Sequence, residues 1–259
     1  MKKIDSTTNE LIKKIVLLKK SVNIKKNSQY LIEGEKMIDL AVYLKKAELI
    51  LISDKKYLDK YKNFKELILI NDNIAKKITS LINHQGVFAV CGIENSNLES
   101  NFDCLVLDDV QNPGNMGTIL RSASAFGFKN IISSDNSVSF YNEKVLRATQ
   151  SNHFQLNLIS SNDIEKDIIN LKNKGYFIVG SYLKNNNNNN NEKNNNKNDS
   201  HKKYALVLGN EGSGIKDNLV KYFDKNIIIK MEKDVESLNV AVAGSIIMKE
   251  LYYQKNDLR

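Results

Sequence analysis

Three segments of this chain combine residue types that could bind a charged ligand or manage a proton, and all lie beyond residue 100. The first, Asp109 to Arg121, holds the only proline of the 259 residues, Pro113, and one of only three arginines. Lysine is the default cation here, so Arg121 points to a task needing a planar, permanently charged fork, such as holding a phosphate or a developing oxyanion. An ordinary turn followed by a helix explains Pro113 and Gly114. It does not explain Arg121, set among Ser122, Ala123, Ala125 and Phe126.

The second segment is Leu206-Val-Leu-Gly209-Asn210-Glu211-Gly212-Ser213-Gly214, a hydrophobic run ending in a glycine-rich loop that exposes backbone amides to a ligand. A phosphate-binding P-loop is excluded, because Ile215 follows Gly214 and the lysine arrives one place late at Lys216. The dinucleotide glycine spacing is absent as well. Glu211 would repel phosphate but tolerates a cationic cofactor or orients a ribose hydroxyl. The third segment, Glu236-Ser237-Leu238-Asn239-Val240-Ala241-Val242-Ala243-Gly244-Ser245, passes from polar to small apolar residues. Alone, it reads as a helix start with Ser237 as N-cap and Asn239 in the turn.

Each segment begins where a strand ends and a helix starts, the place where α/β sheets bind ligands. Strands are expected at Cys104–Leu107, Asn130–Ile132, Tyr176–Val179, Ala205–Leu208 and Ile227–Ile229, with helices between them, giving a mostly parallel sheet. In the first half, Leu11, Ile12, Ile15 and Leu18 recur at helical spacing, with N-caps offered by Ser6 to Thr8. Apolar runs at Tyr30–Ile32, Leu49–Ile52, Leu67–Ile70 and Val87–Cys91 follow, again an α/β pattern. The polar stretch before Asn101 divides the chain into an N-terminal domain over 1–94, a linker over 95–101 and a larger domain over 102–259. Residues 185–200 are nearly all Asn and Lys, with nothing to bury; they read as a disordered surface insertion, and deleting Asn185–Asn198 is expected to leave activity intact.

A formal charge of +8 favours a polyanionic partner such as nucleic acid. Cys91 and Cys104 each sit in a strand-like run and read as buried free thiols of a reducing compartment. His84, His153 and His201 have no ligand spacing, so no metal is expected. No apolar run reaches membrane-span length, which makes the expected location cytoplasmic.

Taken together, Asn112-Pro-Gly-Asn-Met-Gly-Thr-Ile-Leu-Arg121, Leu208-Gly-Asn-Glu211-Gly-Ser-Gly-Ile and Glu236-Ser237-Leu238-Asn239-Val-Ala-Val resemble, in order, the three motifs of the SpoU (TrmH-like) family of RNA ribose 2'-O-methyltransferases, of the SPOUT class. Tyr141 to Thr149 resembles a segment between the first two motifs. Tyr30-Leu-Ile-Glu33-Gly34-Glu35 and His84-Gln85-Gly86-Val87-Phe88-Ala89-Val90 resemble the family's ribosomal-protein-like, RNA-binding N-terminal domain. After Arg147 the family usually carries Ser-Met-Gly, and this chain instead has Thr149-Gln150-Ser151-Asn152.

The resemblance implies a deep trefoil knot and a bound S-adenosylmethionine. Cofactor contacts then fall on Leu208, Gly209, Ile229, Met231, Leu238 and Asn239. It implies a catalytic set of Asn112, Arg121, Glu211, Ser237 and Asn239, and a homodimer packed through the first and last helices of the catalytic domain. Family accounts assign the general base to the arginine matching Arg121, yet an arginine stays protonated in proteins. We read Arg121 as holding a phosphate and the forming oxyanion, while Glu211, Ser237 and Asn239 orient the ribose and pass or accept the proton. Arg147 is open between a second phosphate contact and a structural ion pair. The expected substrate is a guanosine in large-subunit ribosomal RNA. The alternatives are transfer RNA, a catalytically silent RNA-binding protein, and a nucleotide hydrolase disfavoured by the failed P-loop.

Overall fold

The structure is a computed structural model that describes residues 2–182 and 202–256. The Asn-rich tract at 185–200, together with His201 and Arg259, lies outside the described residues. The chain forms two compact units, one of Met1–Asn95 with Tyr141–Phe154, the other of Ser96–Phe140 with Gln155–Arg259.

The first unit is built on a five-stranded sheet of β1 (Lys2–Ile4), β2 (Gln29–Glu33), β3 (Ala47–Ile52), β4 (Leu67–Ile70) and β5 (Val87–Gly92). The strand order is β1-β4-β3-β5-β2; β5 runs antiparallel to both neighbours and the other pairs are parallel. Helices α1 (Glu10–Leu17), α2 (Ser21–Asn27), α3 (Glu35–Tyr43), α4 (Leu58–Tyr61) and α5 (Asp72–Ile78) accompany it. Ile12 and Ile15 of α1 and Ile74 and Ile78 of α5 pack with Ile68 and Phe88 on one face. Met37, Ile38 and Ala41 of α3 pack on the other with Ile50 and Ile52, and Leu146 joins them. That is why Tyr141–Phe154, expected in the second domain, belongs here: Leu146 is buried in the first unit's core. The first helix is capped by Asn9, whose side chain accepts from Leu11 N at 3.0 Å, rather than by Ser6 to Thr8. Ser6 and Thr8 hydrogen-bond to each other instead.

The second unit contains β6 (Asp103–Leu107), α6 (Pro113–Ala125) and β7 (Phe128–Ser134); α7 is the Glu143–Thr149 helix of the first unit. It continues with β8 (Asn157–Ser161), α8 (Ile164–Asn173), β9 (Tyr176–Gly180), β10 (Lys203–Leu208), α9 (Asp217–Val220), β11 (Lys225–Asn226) and α10 (Val240–Lys255). Its sheet order is β11-β9-β10-β6-β7-β8, with every pair parallel. The central strands β6 and β10 read as unbroken apolar runs because both faces are covered. Ile164, Ile168 and Leu171 of α8 pack with Cys104, Val106, Ala205 and Val207 on one face, and α10 packs on α6. The strand expected at Ile227–Ile229 is a correction: the ladder to β9 involves only Lys225–Asn226, and 227–239 continues without helix or strand. Among the described residues no helix is long and apolar enough to cross a membrane.

Candidate active site

Strands β6 and β10 are parallel neighbours, with Leu107 opposite Leu208, so the first and second motifs leave the sheet side by side. Asp108 N donates to Leu208 O at 2.8 Å, and the buried Asp108 carboxylate accepts from Lys216 Nζ at 2.8 Å. The next residue, Asp109, takes a left-handed conformation (φ 64°) that a short polar residue tolerates. Its N donates to Ser134 Oγ at 2.9 Å, and Asn210 Nδ2 donates to its carbonyl at 2.9 Å.

The glycine loop is a closed turn. Asn210 and Gly214 exchange backbone hydrogen bonds of 3.0 Å, and Asn210 Oδ1 accepts from Gly212 N and Ser213 N. A Cβ on Gly209 would overlap the backbone of Gly214 and Ile215, so only glycine permits this return.

Three motifs meet through one chain of hydrogen bonds. Glu211 Oε1 accepts from Asn112 N and from Asn115 Nδ2, both at 3.0 Å, and Oε2 accepts from Gln111 N at 3.3 Å. Asn115 Oδ1 accepts from Asn239 Nδ2 at 2.9 Å. Asn239 Oδ1 in turn caps α10, accepting from Ala241 N at 2.9 Å, so Asn239 rather than Ser237 is the N-cap. Burial pushes the Glu211 carboxyl up, but the bonds from Asn115 and the turn amides outweigh it and leave its pKa below the ordinary glutamate value. Glu211 is therefore an anion that aligns the motifs and a weak proton acceptor.

Beside this chain is a cavity of about 290 Å³. Leu208, Gly209, Ile229, Met231 and Leu238 line it, five of the six expected cofactor contacts, together with the expected Glu211 and Ser237. Asn239 stands between the lining residues Leu238 and Val240 and works as the cap. Asn112 does not line the cavity. Its Oδ1 caps α6, accepting from Gly114 N at 2.8 Å and Asn115 N at 3.2 Å, so its part is to start the helix that carries Asn115. Arg121 does not line it either. It is exposed on α6, forms no ion pair or hydrogen bond among the described residues, and lies six residues, about 9 Å, along the helix from Asn115.

Two contributors escaped the sequence reading. Asn115, the second asparagine of Asn-Pro-Gly-Asn, is the residue that touches both other motifs, and its equal spacing to Pro113 and Gly117 was the available signal. Tyr182, at the cavity wall, donates its hydroxyl to Asp217 at 2.7 Å and exchanges two hydrogen bonds with the Asn226 amide. Nothing in an apolar strand ending in Ser-Tyr marks it.

In the first unit Arg147 pairs with Glu33 at 3.3 Å and Glu143 at 3.9 Å, which settles its open reading as an ion pair. Gln150 and Ser151, in the departing segment, are both left-handed (φ 52° and 71°). They lead to His153, which burial holds neutral with a pKa lowered to about 3.

Solved RNA methyltransferases share this α/β architecture. The chain superposes with a TM-score of 0.80 on an AdoMet-bound rRNA methyltransferase from Sinorhizobium meliloti, 22% identical, over 100% of this chain and 98% of that one. It also matches the SpoU methyltransferase AviRb from Streptomyces viridochromogenes in complex with AdoMet (TM-score 0.78, 20% identical, 96% and 100% covered). The chain belongs to the SpoU rRNA Methylase family, whose model matches residues 104–249. It is similar to the 23S rRNA (guanosine(2553)-2'-O)-methyltransferase RlmP of Bacillus subtilis, 29% identical over 255 residues, covering 97% of this chain and 99% of that protein. A TrmH family tRNA/rRNA methyltransferase of Staphylococcus aureus (strain COL) is 28% identical, with 76% and 83% covered.

Proposed function

We propose that this chain transfers a methyl group from S-adenosylmethionine to a ribose 2'-hydroxyl of RNA, the target being a guanosine of large-subunit ribosomal RNA in the cytoplasm. The observation that carries the reading is the Glu211–Asn115–Asn239 chain, which ties three motifs together beside a cavity. The cavity residues suit the cofactor. Leu208, Ile229 and Leu238 offer apolar walls for an adenine, and Glu211, the only lining carboxylate among the described residues, complements a cation. When bound, S-adenosylmethionine supplies an electrophilic methyl carbon on a sulfonium.

The chain's own residues must then position the hydroxyl and manage its proton. Glu211 keeps the Asn112 turn and Asn115 in place. Ser237 lies on the cavity wall with no hydrogen bond among the described residues, placed to take the hydroxyl proton in a hydrogen bond and relay it to solvent. Arg121, permanently charged and unpaired, holds a phosphate and the forming oxyanion.

Because Arg121 lies outside the cavity lining, the reading includes a homodimer in which Arg121 serves the partner's site. The exposed Val242 and Tyr253 of α10, beside the exposed Thr118 and Ala125 on α6, supply its apolar contact. A trefoil knot belongs to the same proposal, supported by β11 joining the far side of β9 before the chain returns to α10 on α6. The fold assignment 1–94 for RNA binding and 102–259 for catalysis also stands as proposed, with Tyr141–Phe154 moved to the first unit. Transfer RNA is a second reading, favoured by relatives whose names cover both RNAs. Calorimetry tests the reading: S-adenosylmethionine binds and ATP does not. ATP binding without S-adenosylmethionine binding would overturn it.

A further inference from the structure

The loop that leads into α6 is held without main-chain acceptors. Asp108 N donates to Leu208 O and Met116 N to Asn112 O, and between these two no amide donates to a backbone oxygen among the described residues. Asp109 N goes to Ser134 Oγ at 2.9 Å and Val110 N to Ser137 Oγ at 3.0 Å. Gln111 N and Asn112 N go to the Glu211 carboxylate, and Gly114 N and Asn115 N to Asn112 Oδ1. Pro113 has no amide hydrogen. Every N–H from Asp109 to Asn115 is therefore bound by a side-chain oxygen. None is left for a substrate anion, so the loop acts as a fixed base for Asn112 and Asn115.

Glu211 grips this loop from the β10 side. The other grip comes from β7, the neighbour of β6 on its opposite flank, where Ser133 is level with Leu107. There the chain bends through Ser134-Asp-Asn-Ser137, and Ser137 N donates to Ser134 O at 3.0 Å, closing a β-turn. The turn brings the two serine hydroxyls within 3.0 Å of each other, each accepting one loop amide. Val138 N then donates to Val110 O at 2.9 Å, and Asn210 Nδ2 to Asp109 O at 2.9 Å. Asp109 and Val110 are thus bonded at N–H and C=O alike. Asp109 depends on that: its φ of 64° is a left-handed conformation that a non-glycine residue keeps only where its surroundings over-determine it.

We propose that Ser134 and Ser137 are positioning residues for methyl transfer: their hydroxyls fix Asp109 and Val110, and through them the place where Gln111, Asn112 and Asn115 meet Glu211. None of the residues lining the cofactor cavity lies between Asp109 and Arg121 or in the turn 134–137. Loss of the two hydroxyls is therefore read in the rate of the chemical step and not in cofactor affinity. The role in turnover rests on the RNA methyltransferase reading; the grip on the loop does not.

Ser134→Ala combined with Ser137→Ala, made in the full chain, tests the proposal. Turnover of methyl transfer to unmodified 23S ribosomal RNA is expected to fall about tenfold to a hundredfold, the effect of a misplaced reacting group, while calorimetry shows unchanged affinity for S-adenosylmethionine. Ser134→Thr with Ser137→Thr keeps both acceptor oxygens and restores most of the turnover. Amide hydrogen exchange gives a readout independent of the reaction. In the alanine variant exchange quickens at Asp109 and Val110, and also at Gln111 and Asn112, whose amides bind Glu211 and not the serines. Wild-type turnover in the alanine variant, or unchanged exchange at Gln111 and Asn112, would overturn the proposal. So would a joint loss of turnover and cofactor affinity that threonine does not repair, the mark of a turn that only holds the fold together. A wild type that binds S-adenosylmethionine but methylates no RNA would overturn the reaction reading, and with it the role in turnover, while the exchange result continues to test the grip on the loop.

Discussion

Removing Asn185–Asn198 should destroy the cofactor site, contrary to what the composition of that tract suggests. The described ends decide the matter. β9 and β10 are parallel neighbours with Lys203 opposite Tyr176, so Tyr182 stands seven positions up the sheet from the point opposite Lys202. At about 3.3 Å per residue and a strand spacing of about 4.8 Å, the straight-line gap is roughly 24 Å. The deletion leaves five residues between Tyr182 and Lys202, and six links of at most about 3.6 Å reach only about 22 Å. A parallel crossover, which needs a dozen or more residues, cannot be made that way. Removing only Asn185–Asn190 leaves 13 residues between the same ends and should be tolerated. The assay is thermal melting with S-adenosylmethionine calorimetry on both proteins. The shorter deletion keeps both signals; the longer one loses cofactor binding, because Tyr182, two residues past the end of β9, and Leu208 of β10 wall the same cavity. A 14-residue deletion with unchanged melting and affinity would refute the strand pairing on which this rests.

Asn115→Ala removes the link between Glu211 and Asn239 and should lower methyl transfer at least tenfold, while stability falls by only about 2 kcal/mol, the net worth of its two hydrogen bonds. Full turnover would count against the three-motif chain. Arg121→Ala should abolish transfer yet keep S-adenosylmethionine affinity, and Arg121→Lys should fail to restore it; near-normal turnover in Arg121→Lys would remove the fork argument. Gly209→Ala forces a Cβ into the Gly214–Ile215 backbone and should cost about 1–3 kcal/mol with loss of cofactor binding, both readable by calorimetry. His153 is neutral when folded, with a pKa near 3, against an ordinary value of 6.5. Below pH 6.5 the unfolded chain gains a proton that the folded chain refuses, so stability falls by up to about 1.4 kcal/mol per pH unit until pH 3. His153→Phe should flatten that slope in acid denaturation, and an unchanged slope would contradict the assignment.

Much of the fold was legible because its strands are buried on both faces and read as plain apolar runs, as in Cys104–Leu107 and Ala205–Leu208. Two edge strands were not. β1 has three residues, and β8 is Asn-Leu-Ile-Ser-Ser, polar enough to pass for a loop because an edge buries less. Ile227–Ile229 misled in the other direction, since this apolar run serves a cavity wall: Ile229 lines the pocket from a segment that is not a strand. At the site, Leu208, Gly209, Ile229, Met231 and Leu238 were expected from the family resemblance, not from local pattern, and they line the cavity. Asn112 and Asn115 differ only in where the first turn of α6 points them, which spacing alone does not convey. The place of Tyr141–Phe154 depends on Leu146 finding the first unit's core, a long-range packing choice invisible to local pattern.

The central claim is methyl transfer to a ribose, and the most direct measurement is mapping of 2'-O-methylation on 23S ribosomal RNA incubated with the protein and S-adenosylmethionine. The expected result is a single new 2'-O-methylguanosine, absent with Arg121→Ala. Methylation on a base, or no methylation of ribosomal or transfer RNA by a protein that binds the cofactor, would contradict the account.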